Sequence, residues 1–304
     1  MKRKRIVVLG AGGRLGRALV EFLQPSHEVM GLAHADLDLA SGRSIREALE
    51  PLDYDRLFLT GALTAVDYCE SHEEEAFAVN GAGPGLVAAI SAQKGAHMTY
   101  ISTDMVFDGS KDGSYVEEDH TAPISVYGSS KLEGERRVLE ASDDNLVARV
   151  SWVFGPHRPA FPEWIVGRAI EEGNLTLPGN KVCCPTYTMD LIGWLSALVL
   201  NPDMRPASGI FHLCNSHPCT WREWGQHAID TARECGMPVL ADEIVGVPLD
   251  SVAAFVARRP VNSAMDTGKF TARTGIRPRP WQEALRDFVI QSDSFAKYRC
   301  AAQS

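Results

Sequence analysis

Residues 5–16 read RIVVLGAGGRLG, and they constrain the fold more than any other segment of the chain. Consecutive apolar residues of this kind are typical of a strand that is buried on both faces. After them, Gly10 suits a tight turn, Gly13 lets the backbone approach a pyrophosphate, and Gly16 lets a helix pack closely on the strand. The start of that helix offers free N–H groups to an anion. The segment therefore predicts a dinucleotide site.

The rest of the first half repeats the strand-then-helix pattern, which is typical of βαβ units and a parallel sheet. The predicted strands are residues 5–10, 28–33, 56–60, 97–102 and 145–150, and the predicted helices are 14–24, 44–49, 67–93 and 126–141. Later segments are shorter, with a helix at 190–200, a strand at 210–213 and a helix at 221–235. We expect an α/β fold: a Rossmann-type doubly wound parallel sheet with a smaller C-terminal substrate lobe.

The domain boundary is expected near residue 150. Residues 1–150 would form the dinucleotide-binding domain and residues 151–304 mainly the substrate lobe, with segments near 180–214 returning to the first domain.

The net charge is −9. The short basic run at residues 2–5 directly precedes a strand, so the composition speaks against nucleic-acid binding. No apolar run approaches the roughly 18 residues of a membrane span. We therefore expect a cytoplasmic protein that does not enter membranes.

The seven cysteines are irregularly spaced, which does not suggest a disulfide framework. His212, Cys214, His217 and Cys219 carry side chains that can bind zinc, yet their spacing fits no familiar zinc pattern. We therefore expect these four residues to be ordinary core or loop residues, with a metal site as the less favoured alternative. We predict no metal.

The choice between NAD and NADP depends on the end of the second strand. An acidic residue there favours the ribose hydroxyls of NAD, and a basic residue favours the 2′-phosphate of NADP. The strand is followed by His34, with Asp36 and Asp38 slightly further on. The sequence leaves both cofactors open and favours NADPH slightly.

Tyr127 and Lys131 lie four residues apart at the start of a predicted helix, so both side chains face one small volume. A free tyrosine has a pKa of about 10. A nearby, partly buried ammonium can lower this pKa. We expect Lys131 to do so while it binds the nicotinamide ribose, and we expect Tyr127 to give its proton to a carbonyl oxygen as hydride arrives.

Thr103 follows the apolar strand 97–102, at the sheet edge where α/β folds place ligands. Its hydroxyl could donate a hydrogen bond to the reacting oxygen and place it against Tyr127. The alternative is a threonine that merely caps the end of the strand.

Together these features resemble the extended short-chain dehydrogenase/reductases, and more narrowly the dTDP-4-dehydrorhamnose reductase family. The resembling segments, in order along most of the chain, are residues 64–67 (TAVD), 78–80 (AVN), 102–109 (STDMVFDG), 115–119 (YVEED), 123–128 (PISVYG), 131–135 (KLEGE), 149–155 (RVSWVFG), 185–191 (PTYTMDL) and 259–263 (RPVNS).

The resemblance implies roles for individual residues. The implied catalytic residues are Thr103, Tyr127 and Lys131. The implied cofactor-binding residues are Gly10, Gly13, Arg14, Leu15, Gly16, His34, Asp38, Leu39, Gly61, Ala62, Tyr127 and Lys131. The implied substrate-binding residues are Thr64, Asp104, Met105, Trp152, Arg259, Asn262 and Ser263. The implied reaction is the NAD(P)H-dependent reduction of the C4 carbonyl of a nucleotide-linked 4-keto-6-deoxy sugar. A homodimer is one option for the assembly.

Some positions depart from the family pattern. Nucleotide-sugar 4,6-dehydratases carry Thr-Asp-Glu where this chain has Thr103, Asp104 and Met105, and a thioether cannot transfer a proton. The rhamnose reductases usually have Tyr at the position of Met105. Leu59 and Leu63 stand where the family has an Asn-rich strand end with a Tyr, and Cys183-Cys184 where Gly is common. These changes leave the identity of the sugar open.

Two other functions stay open at this point. One is a non-catalytic NADP-binding regulator, because a relative of the family is the regulatory subunit of methionine adenosyltransferase. The other is a nucleotide-sugar epimerase that holds NAD tightly. The presence of Thr103, Tyr127 and Lys131 together favours a catalyst over the regulator.

Overall fold

The computed structural model describes residues 3–296 and 298, so Lys2 of the basic run and the end of the expected substrate lobe lie outside the described part. The strands are β1 Arg5–Leu9, β2 Glu28–Leu32, β3 Arg56–Leu59, β4 His97–Thr103, β5 Leu146–Val150, β6 Val153–Phe154, β7 Leu175–Pro178, β8 Val182–Cys183, β9 Thr186–Tyr187, β10 Gly209–His212, β11 Cys219–Thr220 and β12 Ile244–Val247. The predicted strands of the first half are all present, with ends that differ by one residue.

The α-helices are α1 Arg14–Leu23, α2 Gly42–Leu49, α3 Val66–Ser71, α4 Glu73–Phe77, α5 Gly83–Gln93, α6 Val126–Ala141, α7 Phe161–Glu171, α8 Thr188–Val199, α9 Trp221–Glu234, α10 Gly268–Thr274 and α11 Trp281–Gln291. None of the helices in the described residues is long and apolar enough to cross a membrane.

Six parallel strands form the main sheet in the order β10-β5-β4-β3-β1-β2. The chain leaves β1 for β2 on one side and then returns to β3 on the other. Open α/β sheets bind ligands at such a reversal, outside the carboxyl ends of the strands. Leu9 and Leu59 are paired at these ends. This confirms the predicted Rossmann-type fold and locates the crevice after β1 and β3.

Two apolar layers cover the sheet. One contains Val8 and Leu19 together with Leu195 of α8, and the other contains Leu9 and Val87. Helix α8 packs on α1, and β10 pairs with β5, so both lie with the nucleotide-binding half. A separate core around Trp224 of α9 joins α7, α11, β7 and β12 in the second lobe.

The prediction of one continuous helix over residues 67–93 is wrong. The structure divides it into α3, α4, a π-helical turn at Ala78–Ala82, and α5. The side chain of Asn80 leaves the turn to bond the backbone of Leu63, and Pro84 lies in the first turn of α5. A widened turn of this kind is common at functional sites.

Candidate active site

A cavity of about 1410 Å³ lies between the carboxyl edge of the sheet and the second lobe. Most of the predicted site residues lie on its wall. They are Gly10, Gly13, Arg14, Leu15, His34, Asp38, Leu39, Gly61, Ala62, Thr64, Thr103, Asp104, Met105, Tyr127, Lys131, Trp152 and Arg259.

Three predicted residues are not on the wall. Gly16 packs under the glycine turn, and a Cβ there would stand 2.2 Å from the carbonyl oxygen of Gly10. Asn262 donates to the carbonyls of Lys111 and Gly113, at 2.8 and 2.7 Å. Ser263 is fully buried behind the cavity. The structure therefore places these three as supports rather than as lining groups.

The glycine turn is shaped by close backbone contacts. Gly10 has φ +86°, and a Cβ there would lie 2.5 Å from the backbone nitrogen of Gly61. Gly13 caps α1 without any side-chain hydrogen bond. The first N–H groups of a helix have no partner within the helix. In the part of the chain that the structure describes, no side chain caps the start of α1, so its first backbone donors can face an anion such as a pyrophosphate.

Arg14 stands at the start of α1, but its guanidinium is engaged with the second lobe. It donates to the carbonyls of Gly155, Arg158 and Pro159, at 2.6, 2.5 and 2.9 Å. Its side chain therefore links the glycine turn to the loop after β6.

Further along the crevice, Asp38 accepts the backbone N–H of Ala40, which is an arrangement typical of a turn.

Tyr127 and Lys131 lie in the first turns of α6, which Ser125 caps by accepting the N–H of Gly128 at 3.1 Å. Both side chains are buried. The Lys131 ammonium donates to the carbonyl of Ile101 at 2.7 Å and lies 3.9 Å from the centroid of the Tyr100 ring. The cap and these two contacts fix the direction of the helix and of the lysine.

The expected lowering of the Tyr127 pKa by Lys131 is not what the structure gives. Burial raises the pKa of Tyr127, and a hydrogen bond with Thr103 opposes the rise. Burial lowers the pKa of Lys131 to about 7, against the attraction of Glu135. The Lys131 ammonium itself bonds the carbonyl of Ile101 in β4 and lies over the Tyr100 ring. Desolvation thus dominates both groups and favours a neutral phenol.

Asn80 is a residue to which sequence reasoning gave no role, although it lies in one of the resembling segments. It is fully buried in the π-helical turn. Its amide donates to the carbonyl of Leu63 at 3.0 Å and to the hydroxyl of Ser130 at 3.1 Å. Ser130 is on α6 between Tyr127 and Lys131, so Asn80 joins the loop after β3 to the helix that carries both.

Asp104 accepts hydrogen bonds from three hydroxyl groups. Thr103 donates to Oδ1 at 3.1 Å, and Ser151 and Ser263 donate to Oδ2 at 2.7 and 2.5 Å. Lys181, a second buried lysine on the cavity wall, donates to the Ser263 hydroxyl at 2.6 Å. Sequence reasoning missed Lys181 because nothing in its neighbourhood marks it as a site residue.

The wall on the side of the second lobe is aromatic. Trp152 has φ +45°, a backbone conformation rare for a bulky residue, and its ring lies 4.5 Å from that of Trp221. Arg259 pairs with Asp67 at 2.6 Å and lies 4.0 Å from the centroid of the Phe255 ring. Backbone strain of this kind is found at ligand sites. The wall therefore offers aromatic rings to a ligand, while Asp67 holds the Arg259 guanidinium.

Within the described residues, no group of three or more His, Cys, Asp or Glu side chains could hold a metal ion. His212 is buried between Arg149 and Glu117, and burial lowers its pKa to about 3. Cys214 shares the carbonyl of Met265 with Cys184. His212 and Cys214, two of the four residues weighed as zinc ligands in the sequence, therefore make separate contacts.

Comparison with known proteins gives the family. The model of the RmlD substrate binding domain family matches residues 4–294. A dTDP-4-dehydrorhamnose reductase of Sinorhizobium fredii is 32% identical over 294 residues, covering 94% of this chain and 96% of the relative. One from Streptomyces griseus is 35% identical over 291 residues, covering 94% and 93%. The chain belongs to the dTDP-4-dehydrorhamnose reductase family.

A solved member of the family has the same fold. The crystal structure of the Bacillus anthracis dTDP-4-dehydrorhamnose reductase in complex with NADP has a TM-score of 0.88 at 26% identity, covering 95% of this chain and 100% of that one. The resemblance seen in the sequence is confirmed. As a member of this family, the chain is an NAD(P)-dependent oxidoreductase.

Proposed function

We propose that this protein reduces the C4 carbonyl of a nucleotide-linked 4-keto-6-deoxy sugar with NADPH, as the name dTDP-4-dehydrorhamnose reductase implies for its relatives. One observation supports this most. Thr103, Tyr127 and Lys131 reach one wall of the same cavity that the glycine turn enters, although they come from two different elements.

The residues at the crevice fit a dinucleotide. Gly10, Gly13 and the start of α1 would hold the pyrophosphate, and the close approach of Gly10 to Gly61 leaves no room for a side chain between them. When bound, the nicotinamide would supply the hydride. His34 lines the cavity after β2, and the Asp36 carboxylate there accepts the N–H of Ala33 at 2.8 Å. An acidic residue at this place favours NAD when it is free to bind the ribose hydroxyls. Because the Asp36 carboxylate is occupied by Ala33, we favour NADPH.

The chain supplies the proton and the orientation. Because burial raises the pKa of Tyr127, its phenol is protonated at neutral pH and can give a proton to the carbonyl oxygen. The Thr103 hydroxyl is close to that phenol and would turn from Asp104 to hold the same oxygen. Lys131 would bind the ribose and supply positive charge when protonated. Met105 has no acidic group, so reduction is favoured over water elimination.

The test is cofactor oxidation by the purified protein. NADPH and NADH would be offered with a panel of dTDP- and GDP-linked 4-keto sugars, and loss of absorbance would be followed for wild type and Tyr127→Phe. We expect reduction of a dTDP-linked sugar with NADPH, and a rate at least about 100-fold lower for Tyr127→Phe. Equal rates for the two proteins would reject Tyr127 as the proton donor.

The same preparation separates the other two functions. A regulator would bind NADPH, measured by fluorescence, yet reduce no sugar of the panel. An epimerase would be purified with NAD bound, which its absorbance reveals, and would interconvert nucleotide sugars without net oxidation of added cofactor. Either result would replace the proposed function.

A further inference from the structure

A buried lysine that the proposed chemistry does not use lies behind the reacting groups. Lys181 is 2% exposed, in the loop between β7 and β8. Its ammonium donates to the Ser263 hydroxyl at 2.6 Å and to the carbonyl of Val182 at 3.2 Å. Burying an ammonium is costly unless a negative charge compensates it. A negative charge is therefore expected close to the Lys181 ammonium.

That anion is Asp104. The hydroxyl of Ser263 receives a hydrogen bond from Lys181 and donates its own to Asp104 Oδ2 at 2.5 Å. Three hydroxyl donors meet at this carboxylate, as a charged acceptor requires. Burial lowers the pKa of Lys181, and the charge of Asp104 opposes that change. One hydroxyl thus links a buried cation to a buried anion.

The charge of Asp104 bears on the reaction. Asp104 is adjacent to Thr103, and its negative charge raises the pKa of Tyr127. Giving up a proton turns the Tyr127 phenol into an anion, and an uncompensated carboxylate nearby would oppose that. A cation behind the carboxylate reduces this opposition.

We propose that Lys181 is the counter-ion of Asp104, linked to it through Ser263, and that by neutralising this carboxylate it makes proton release from Tyr127 easier. Lys181 is thus a positioning residue that acts through Asp104. The second half of this inference rests on the proposed function. The first half, the charge pair, does not.

Other charged or titratable groups face this pair. Cys214 and Tyr127 face Asp104, and Cys183, Cys184 and Arg259 face Lys181. Arg259 is already paired with Asp67 at 2.6 Å. Removal of Lys181 should therefore leave the charge of Asp104 without a compensating cation.

The test is a cycle of variants measured by thermal unfolding and by steady-state kinetics. Lys181→Met leaves a buried carboxylate without its cation, and we expect the Tm to fall by roughly 5 °C or more. Adding Asp104→Asn to Lys181→Met removes the orphan charge and should restore more than half of that loss. Lys94→Met, at a lysine whose ammonium bonds the carbonyl of Glu50, is the control for loss of a lysine.

The kinetic arm uses the same proteins. Lys181→Met should lower kcat roughly tenfold, with the KM for NADPH unchanged. Lys181→Met/Asp104→Asn should regain part of kcat. If Lys181→Met does not fold, Ser263→Ala, which breaks the link and keeps both charges, should lower kcat in the same direction.

Several outcomes would overturn the inference. Additive Tm losses in the cycle would show that the two charges are not paired. A raised sugar KM with unchanged kcat would make Lys181 a substrate contact instead. A kcat loss that Asp104→Asn does not rescue would make it a purely structural residue. If wild type reduced no keto sugar, the proposed function would fail, and the unfolding cycle alone would still decide the pair.

Discussion

The two walls of the cavity are built in different ways. The wall at the glycine turn is backbone from one short segment, where Gly10 and Gly16 leave no room for a Cβ. The other wall, which includes Asp104 and Lys181, is made of side chains from distant segments. It is backed by two buried hydroxyls: Ser151 and Ser263 donate to Asp104, and Ser263 accepts from Lys181. The first wall should therefore be sensitive to added volume, and the second to a change of charge or shape.

The largest effect is expected from added volume at the first wall. A Cβ at Gly16 would stand 2.2 Å from the carbonyl oxygen of Gly10, and the turn could not keep its shape. Gly16→Ala should lower the free energy of unfolding by about 3 kcal/mol and abolish NADPH binding, measured by denaturation and fluorescence titration. Gly193→Ala, where a Cβ meets no atom of the described residues within 4 Å, should leave the free energy of unfolding unchanged. Normal NADPH binding by Gly16→Ala would refute the assignment of the turn.

The next effect concerns the pH dependence of catalysis. Burial lowers the pKa of Lys131 to about 7, so its ammonium is present below that pH and is lost above it. We expect kcat/KM to fall as the pH rises through about 7, and Lys131→Met to lose this basic limb with a rate roughly 100-fold lower. The measurement is a pH profile of kcat/KM in a constant-ionic-strength buffer. A basic limb that persists in Lys131→Met would assign it to another group.

A smaller effect is expected at the aromatic wall. Trp152→Ala removes a ring that lies against Trp221 and lines the cavity. We expect the KM for the nucleotide sugar to rise roughly tenfold, since one lost stacking contact is worth about 1 kcal/mol. The KM for NADPH should stay unchanged and serves as the internal control. An equal rise in both constants would show that the two walls are not separable.

The smallest effect is expected at the ion pair of Asp67 with Arg259. Asp67→Asn should lower the free energy of unfolding at pH 7 by about 1 kcal/mol, because the carboxylate is partly exposed and screened. Arg259 holds the pKa of Asp67 below its usual value, so the contribution is present at neutral pH and is lost as the pH falls through that lowered pKa. Chemical denaturation of both proteins at pH 7 and near pH 3 checks this. A difference that grows toward acid pH would contradict it.

Sequence patterns predicted the sheet well because its information is local. Each strand of the first half is a short segment that contains apolar residues, and α6 begins and ends where its pattern does, at Val126 and Ala141. The unbroken helix over residues 67–93 was wrong in two places. The backbone leaves the helical conformation at His72, with φ −134° and ψ 52°. The π-helical turn holds Asn80, which contacts Leu63, 17 residues away. Hydrophobic periodicity carries no signal for such a contact.

The candidate site divides in the same way. The spacing of Tyr127 and Lys131 on one helix was readable, and so was the glycine turn. The direction of the Tyr127 pKa was not, because it depends on how deeply the phenol is buried. The contacts of Arg14 with Gly155 and the loop after it also required the folded chain.

The sequence by itself determined which backbone turn and which helix line the cavity, since strand, glycine spacing and helical repeat act between near neighbours. Only the tertiary structure decided which charges face each other. Lys181 and Ser263 are 82 positions apart, and Ser263 and Asp104 are 159 apart. Electrostatic energy depends on distance and burial in space, and neither quantity is written in the order of the residues.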